Sequence, residues 1–165
     1  MIMTSRSGPG SADSTPRAGL DAERLAKVAG DCLLALGPVL GLSHCRLLGQ
    51  LRLAPSGLSG MAVTLEGNVA SVVVGVLSNQ EGRTAIARAL FQMGAGEQPA
   101  ARDEADAVGE LANVIAGRIK LALSELSSRL SVPTALAADA APLGEQVTLR
   151  ISFGNVPAAL VIGLR

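Results

Sequence analysis

The residues best placed to do chemistry lie in one stretch, "DEADAVGELANVIAGRIKLALSEL" (residues 103–126), which carries Asp106, Glu110 and Asn113 among small and apolar neighbours. A carboxylate offers a negative charge, and a carboxamide can donate one hydrogen bond while accepting another. Asn is a costly choice inside a helix, because its amide competes with the backbone ladder unless something else engages it. A helix turns about 100° per residue. With Val108 at zero, Leu111, Ala112, Ile115, Ile119, Ala122 and Leu126 fall within roughly 60° of it and form the expected buried stripe. Asp106, Glu110, Asn113 and Gly117 fall together on the opposite side, in a wedge of about 60°. Glycine inside a helix costs about 1 kcal/mol relative to alanine, and close approach by another molecule is one reason to accept that cost at Gly117. The plainer reading is that any exposed helix face carries polar residues, and Glu is a good helix former.

Other chemistries have little to stand on. Cys45 adjoins the only histidine, in "SHCR", but sequence adjacency does not bring two side chains together as a nucleophile pair. The two cysteines, Cys32 and Cys45, read as buried thiols, not as a disulfide. No cluster has metal-ligand spacing, and neither a phosphate-cradling GxxxxGK[ST] loop nor a GxSxG elbow is present.

The elements that must hold the helix follow from periodicity and turn residues. Residues 1–20 are rich in Ser, Gly, Pro and Thr and read as a disordered tail, leaving residues 21–165 as one domain. Asp21 caps a first helix whose apolar face is Leu25, Val28, Ala29, Cys32, Leu33 and Leu36, and Gly37 and Pro38 end it. "CRLLGQLRLAPSGLSGMAVTLEGNVASVVVGVLS" splits at "APSG" and "EGN" into three strands, of which "SVVVGVL" is apolar on both faces and reads as central. Ser78 or Asn79 then caps a short helix with a stripe of Ala85, Ile86, Ala89, Leu90 and Met93. After the motif helix, "LSVPTALA" reads as an edge strand entered through Pro133. "VTLRISFGNVPAALVIGLR" reads as a closing hairpin that turns at "GN" and leaves an exposed edge in need of a partner. Strands interrupted by helices without βαβ alternation predict an α+β fold: a largely antiparallel sheet of about six strands with two long helices and one short one on one face.

Composition narrows the partners. The 165 residues include 14 basic and 14 acidic side chains, so no electrostatic footprint for nucleic acid or anionic lipid appears. Two Phe, with no Trp or Tyr, give no platform for stacking bases. No apolar run is long enough to span a bilayer, and the first residues lack the apolar segment of a secretory signal, so the expected location is cytoplasmic.

"DAVGELANVIAGRIKLAL" resembles the signature helix of the CheC, CheX and FliY phosphatases of bacterial chemotaxis: Asp or Ser, three residues, Glu, two residues, Asn, and later a proline. Asp106, Glu110 and Asn113 match in order and spacing. "GELANVIAG" is most similar to the CheX branch; "EGRTAIARALFQMG", "SVPT" and the "FGN" turn are similar to the family as supporting features, so the resemblance covers about residues 21–165. CheC-type proteins carry the motif on both long helices; here the first helix lacks it, as in CheX. Pro133 stands twenty positions after Asn113, somewhat closer than the family's spacing. The resemblance implies a homodimer joined through its sheets. It also implies hydrolysis of the aspartyl phosphate on a CheY-type response-regulator receiver. Asn113 would orient the attacking water, Glu110 would pair with the receiver's lysine, and Asp106 and Gly117 would face the partner. No cofactor of the protein's own is implied, since the Mg²⁺ belongs to the receiver. A non-catalytic dimeric module of the same fold is the alternative; a small-ligand domain has only the high apolar content in its favour.

Overall fold

The computed structural model describes residues 20–42, 44–123, 128–140 and 143–165. The tail expected over residues 1–20 lies outside them except for Leu20, which packs against the core. Helix α1 (Ala22–Leu36) begins where the Arg24 amide donates to the Asp21 carboxylate at 2.6 Å. Three strands follow, β1 (Cys45–Leu51), β2 (Ser59–Gly67) and β3 (Ser71–Ser78). Helix α2 (Gln80–Leu90) is capped by Asn79, whose side-chain oxygen accepts from the Gly82 amide at 2.9 Å. Ser78, the other candidate cap, is buried and donates instead to the Pro157 carbonyl at 2.7 Å. Helix α3 (Ala101–Ala122) leads to β4 (Ser128–Leu130) and β5 (Thr134–Ala137), and the chain closes with β6 (Glu145–Phe153) and β7 (Val156–Leu164).

The result is an α+β fold with one antiparallel sheet in the order β1-β6-β7-β3-β2-β4, β5 also pairing with β2. Among the described residues it has seven strands where the sequence suggested about six. The extra one arises because the segment read as a single strand breaks at Ser131–Pro133 into β4 and β5, proline being unable to donate to the ladder. The β6–β7 hairpin, expected to leave an exposed edge, instead occupies the sheet interior between β1 and β3. Among the described residues the sheet's edges belong to β1, which pairs with β6, and to β4 and β5, which pair with β2.

Central strand β3 is buried along both faces, as its run of valines requires. Val72, Val74 and Val76 meet the three helices, together with Leu65, Leu149 and Ile162. Val73 and Leu77 point the other way and join Ala159, Val161, Leu58 and Leu143 in a smaller cluster. Helix α3 lies on β2 and β3 and packs sideways against α1 and α2. Its Val108, Leu111, Ile115 and Ile119 are fully buried, each such side chain contributing about 1.5–3 kcal/mol. That burial fixes the rotation of α3, and so decides what its outer face shows. Ala122, expected in the stripe, is exposed at the helix end, and Leu126 lies outside the described residues.

Candidate functional site

Helix α3 opens with the Ala100 amide donating to the Asp103 carboxylate at 3.2 Å. Acids in the first turn and Lys120 in the last suit the helix dipole. With the apolar arc pressed on the sheet, Asp106 and Glu110 are exposed, and Asn113 and Gly117 are half-buried. Asp106 faces Arg102 at 3.7 Å, but both side chains are largely exposed, so the pair fixes little. Among the described residues, neither the Glu110 nor the Asn113 side chain has a hydrogen-bond or ion-pair partner.

Asp106, Glu110 and Asn113 line one groove of about 320 Å³, with Met61, Ala105, Gly109, Val132 and Pro133 as its remaining walls. Gly117 lies beyond the groove, further along the same helix face. A Cβ there would meet nothing within 4 Å, so the glycine is not required by the protein's own packing. Gly109 is different. A Cβ at that position would sit 3.0 Å from Pro133 Cβ and 3.2 Å from its Cγ, so the missing side chain lets Pro133 seat on the helix.

The second wall is built by the break between β4 and β5. The Ser131 amide donates to the Thr64 carbonyl at 2.9 Å, and the Thr64 amide donates to the Ser131 hydroxyl at 2.9 Å. A side-chain oxygen thus completes the ladder of β2 where the main chain turns away. Val132 and Pro133 are set out toward α3 as a result, and Val132 is 80% exposed. Sequence reasoning found Pro133 but not Val132, Met61 or the task of Gly109, because the contact between Gly109 and Pro133 spans a distance along the chain that no periodicity reports.

A further polar cluster braces the start of α3. Glu104 is only 4% exposed. Its carboxylate accepts from the Thr84 hydroxyl at 2.6 Å and from the Gln80 amide at 2.8 and 2.7 Å. The Arg83 guanidinium donates to Gln80 Oε1 at 2.6 Å, to the Ser59 hydroxyl at 2.8 Å and to the Ser78 carbonyl at 3.0 Å. These side chains floor a groove of about 460 Å³ that shares Met61 and Ala105 with the first. Glu104 stands one turn before Val108, about 40° from it on the helical wheel. A charged residue on the buried stripe was therefore visible in the sequence as a signal of a bonded carboxylate.

Cys32 and Cys45 are free and half-buried. Burial pushes both thiols up, with the charge of Arg118 opposing that at Cys32, so neither is prepared as a nucleophile. His44 sits at a tight turn with φ of 60°. Among the described residues, no group of three His, Cys, Asp or Glu side chains could hold a metal ion, and no helix is long and apolar enough to cross a membrane.

The family model described as chemotaxis phosphatase CheX matches residues 59–151, more than half of the chain, and that span includes the whole of α3. The chain belongs to the CheX family. CheX from Desulfovibrio desulfuricans superposes with a TM-score of 0.68 at 17% identity, over 86% of this chain and 99% of that one. In the CheX–CheY–BeF3–Mg²⁺ complex from Borrelia burgdorferi the match has a TM-score of 0.65 at 16% identity, over 88% and 98% of the two chains. Thermotoga maritima FliY is more distant, with a TM-score of 0.52 at 15% identity over 86% and 87%. At these identities the structures speak for the fold. No curated protein sequence matches the chain.

Proposed function

We propose that this CheX-family protein hydrolyses the aspartyl phosphate of a CheY-type receiver domain, using Asn113 and Glu110 presented by α3. One observation carries the reading: in a chain of a chemotaxis phosphatase family, both side chains stand together in an open groove with no partner in their own fold. Phosphoryl transfer to water needs an in-line water and charge compensation, with little covalent chemistry from the protein. Asn113 enters the receiver's site, and its carboxamide oxygen accepts from the attacking water while its NH₂ group donates to a neighbouring acceptor. Glu110 pairs with the receiver's lysine and fixes the register of the two surfaces. Water's oxygen bonds to phosphorus, the acyl-phosphate P–O bond breaks, and the receiver's aspartate is restored. On this reading the Mg²⁺ is the receiver's; CheX, CheY, BeF3 and Mg²⁺ occur together in the Borrelia burgdorferi complex. Asp106 and Gly117 complete the partner-facing strip.

The protein acts in the cytoplasm as a homodimer whose two sheets meet along the open edge of β1. Leu47, Leu48 and Leu51 are exposed on that strand, and such an edge invites pairing with a second copy. Light scattering at micromolar concentration checks this; a monomeric mass counts against it.

The function is tested by phosphate release from phosphorylated CheY-type receivers with and without the protein. A stimulated rate supports the phosphatase. Binding to the activated receiver without stimulation would leave the non-catalytic module in its place.

A further inference from the structure

We propose that Val132 and Leu121 are apolar docking contacts that flank the polar strip of α3 and clasp the receiver domain on either side of Asn113. The inference rests on the reading of that strip as the receiver-facing surface, and adds to it two apolar contacts beside the polar groups. Val132 is 80% exposed and Leu121 is 79% exposed, placing them among the most exposed large apolar side chains of the described residues. The exposure of Val132 is built into the fold. Val132 is set out by the Ser131–Thr64 bonds, and Pro133 behind it is seated on Gly109. It lines the same groove as Glu110 and Asn113, so a body that reaches Asn113 through that groove must cover it. Leu121 stands one turn beyond Gly117 and falls within about 20° of Glu110 on the helix circumference. It ends the strip Asp106, Glu110, Asn113, Gly117.

The order of side chains along this face suits one kind of occupant. A carboxylate and a carboxamide form a small polar centre, a bare glycine follows where nothing projects, and apolar groups stand at the side and at the far end. Polar groups at the centre fix register, whereas burial of the flanking apolar area supplies affinity. A small molecule held in the groove would cover Val132 but would not reach Leu121, two turns of helix beyond Asn113. A protein surface laid along α3 covers both.

The test uses the full chain and a CheY receiver, phosphorylated by a small phosphodonor for turnover and loaded with BeF3 and Mg²⁺ for binding. Val132→Ser and Leu121→Ser are each expected to raise the half-saturating receiver concentration about five- to tenfold, with the rate at saturation within about twofold of wild type. Val39→Ser is the control, since Val39 is 79% exposed on the turn between α1 and β1 and lines neither groove beside α3, and it should change neither quantity. Asn113→Ala is measured alongside. If it loses turnover while both serine variants saturate like wild type, the docking inference fails alone. If it turns over like wild type, the catalytic reading of the strip fails and the docking inference falls with it. An effect of Val39→Ser as large as that of Val132→Ser would also overturn the docking inference.

Discussion

Helices α1 and α3 lie on the same face of one sheet and pack against each other, yet they use their outer surfaces in opposite ways. On α1 one exposed pair is matched at home: Lys27 and Asp31, one turn apart, pair at 2.8 Å, and that pairing raises the lysine pKa. On α3 the middle of the exposed face holds a carboxylate and a carboxamide that the fold leaves unmatched, followed by a glycine against empty space. Both helices bury an apolar arc, so the difference lies in what their outer faces carry. A helix that only closes the core settles its outer polar groups by i,i+4 pairing. A helix that presents a tool keeps them unpaired and relies on its buried side for rigidity.

The contrast is broken most directly at Asn113. Asn113→Ala removes the amide while adding a better helix former, so the fold should survive. Loss of one well-placed transition-state hydrogen bond costs about 3–4 kcal/mol. Receiver dephosphorylation should fall by roughly two to three orders of magnitude, with binding to a BeF3-loaded receiver changed only a few-fold. Asp31→Ala on α1 should leave turnover intact. Equal losses from the two variants would erase the distinction between the helices. Asp106→Ala, at the rim of the strip, should fall between them.

Glu104 tests the inner side of α3. It is a polar residue of the same helix that the fold does use, through Thr84 and Gln80. Glu104→Ala strands a hydroxyl and an amide, which costs about 1–3 kcal/mol. The expected outcome is a lower Tm, with the saturating rate of the folded protein nearly unchanged. A variant with wild-type Tm would show that the cluster does not brace α3 against α2.

Glu110 returns to the outer face. Glu110→Ala should weaken complex formation about tenfold, the effect of roughly 1.4 kcal/mol from a partly solvated charge pair. Because nothing in the fold engages Glu110, its removal should not lower Tm, in contrast to Glu104→Ala. Unchanged affinity for every responsive receiver would remove its assigned role.

These two glutamates also mark what was legible from the sequence. Glu110 and Asn113 were found because a helix has a fixed period and its exposed side can be read from its buried one. The same period puts Glu104 on the buried side, but its partners Thr84 and Gln80 lie on another helix, and no local rule names them. The strands were readable from valine runs and turn residues. Their order was not: the terminal hairpin looked like an edge and is interior, because a strand's neighbours are chosen by long-range pairing. The groove wall at Val132 was hidden for the same reason, since it depends on Ser131 meeting Thr64 across the sheet.

Gly117 gives the smallest effect and the most discriminating sign. In the free protein a methyl group at this position meets nothing within 4 Å. Alanine also lowers the conformational cost that glycine carries inside a helix, so Gly117→Ala should stabilise the isolated protein by about 0.5–1 kcal/mol, read as a small rise in Tm. A face that served only solvent would show that gain and nothing else. On a face laid against a receiver, the added methyl takes up space between two backbones. The half-saturating receiver concentration should then rise two- to fivefold, an effect of about 0.4–1 kcal/mol, while the saturating rate stays the same. A more stable protein that binds its partner less well would separate a glycine kept for approach from one merely tolerated. If Tm rises and the half-saturating concentration does not move, the receiver passes clear of Gly117, and the contact surface ends at Asn113.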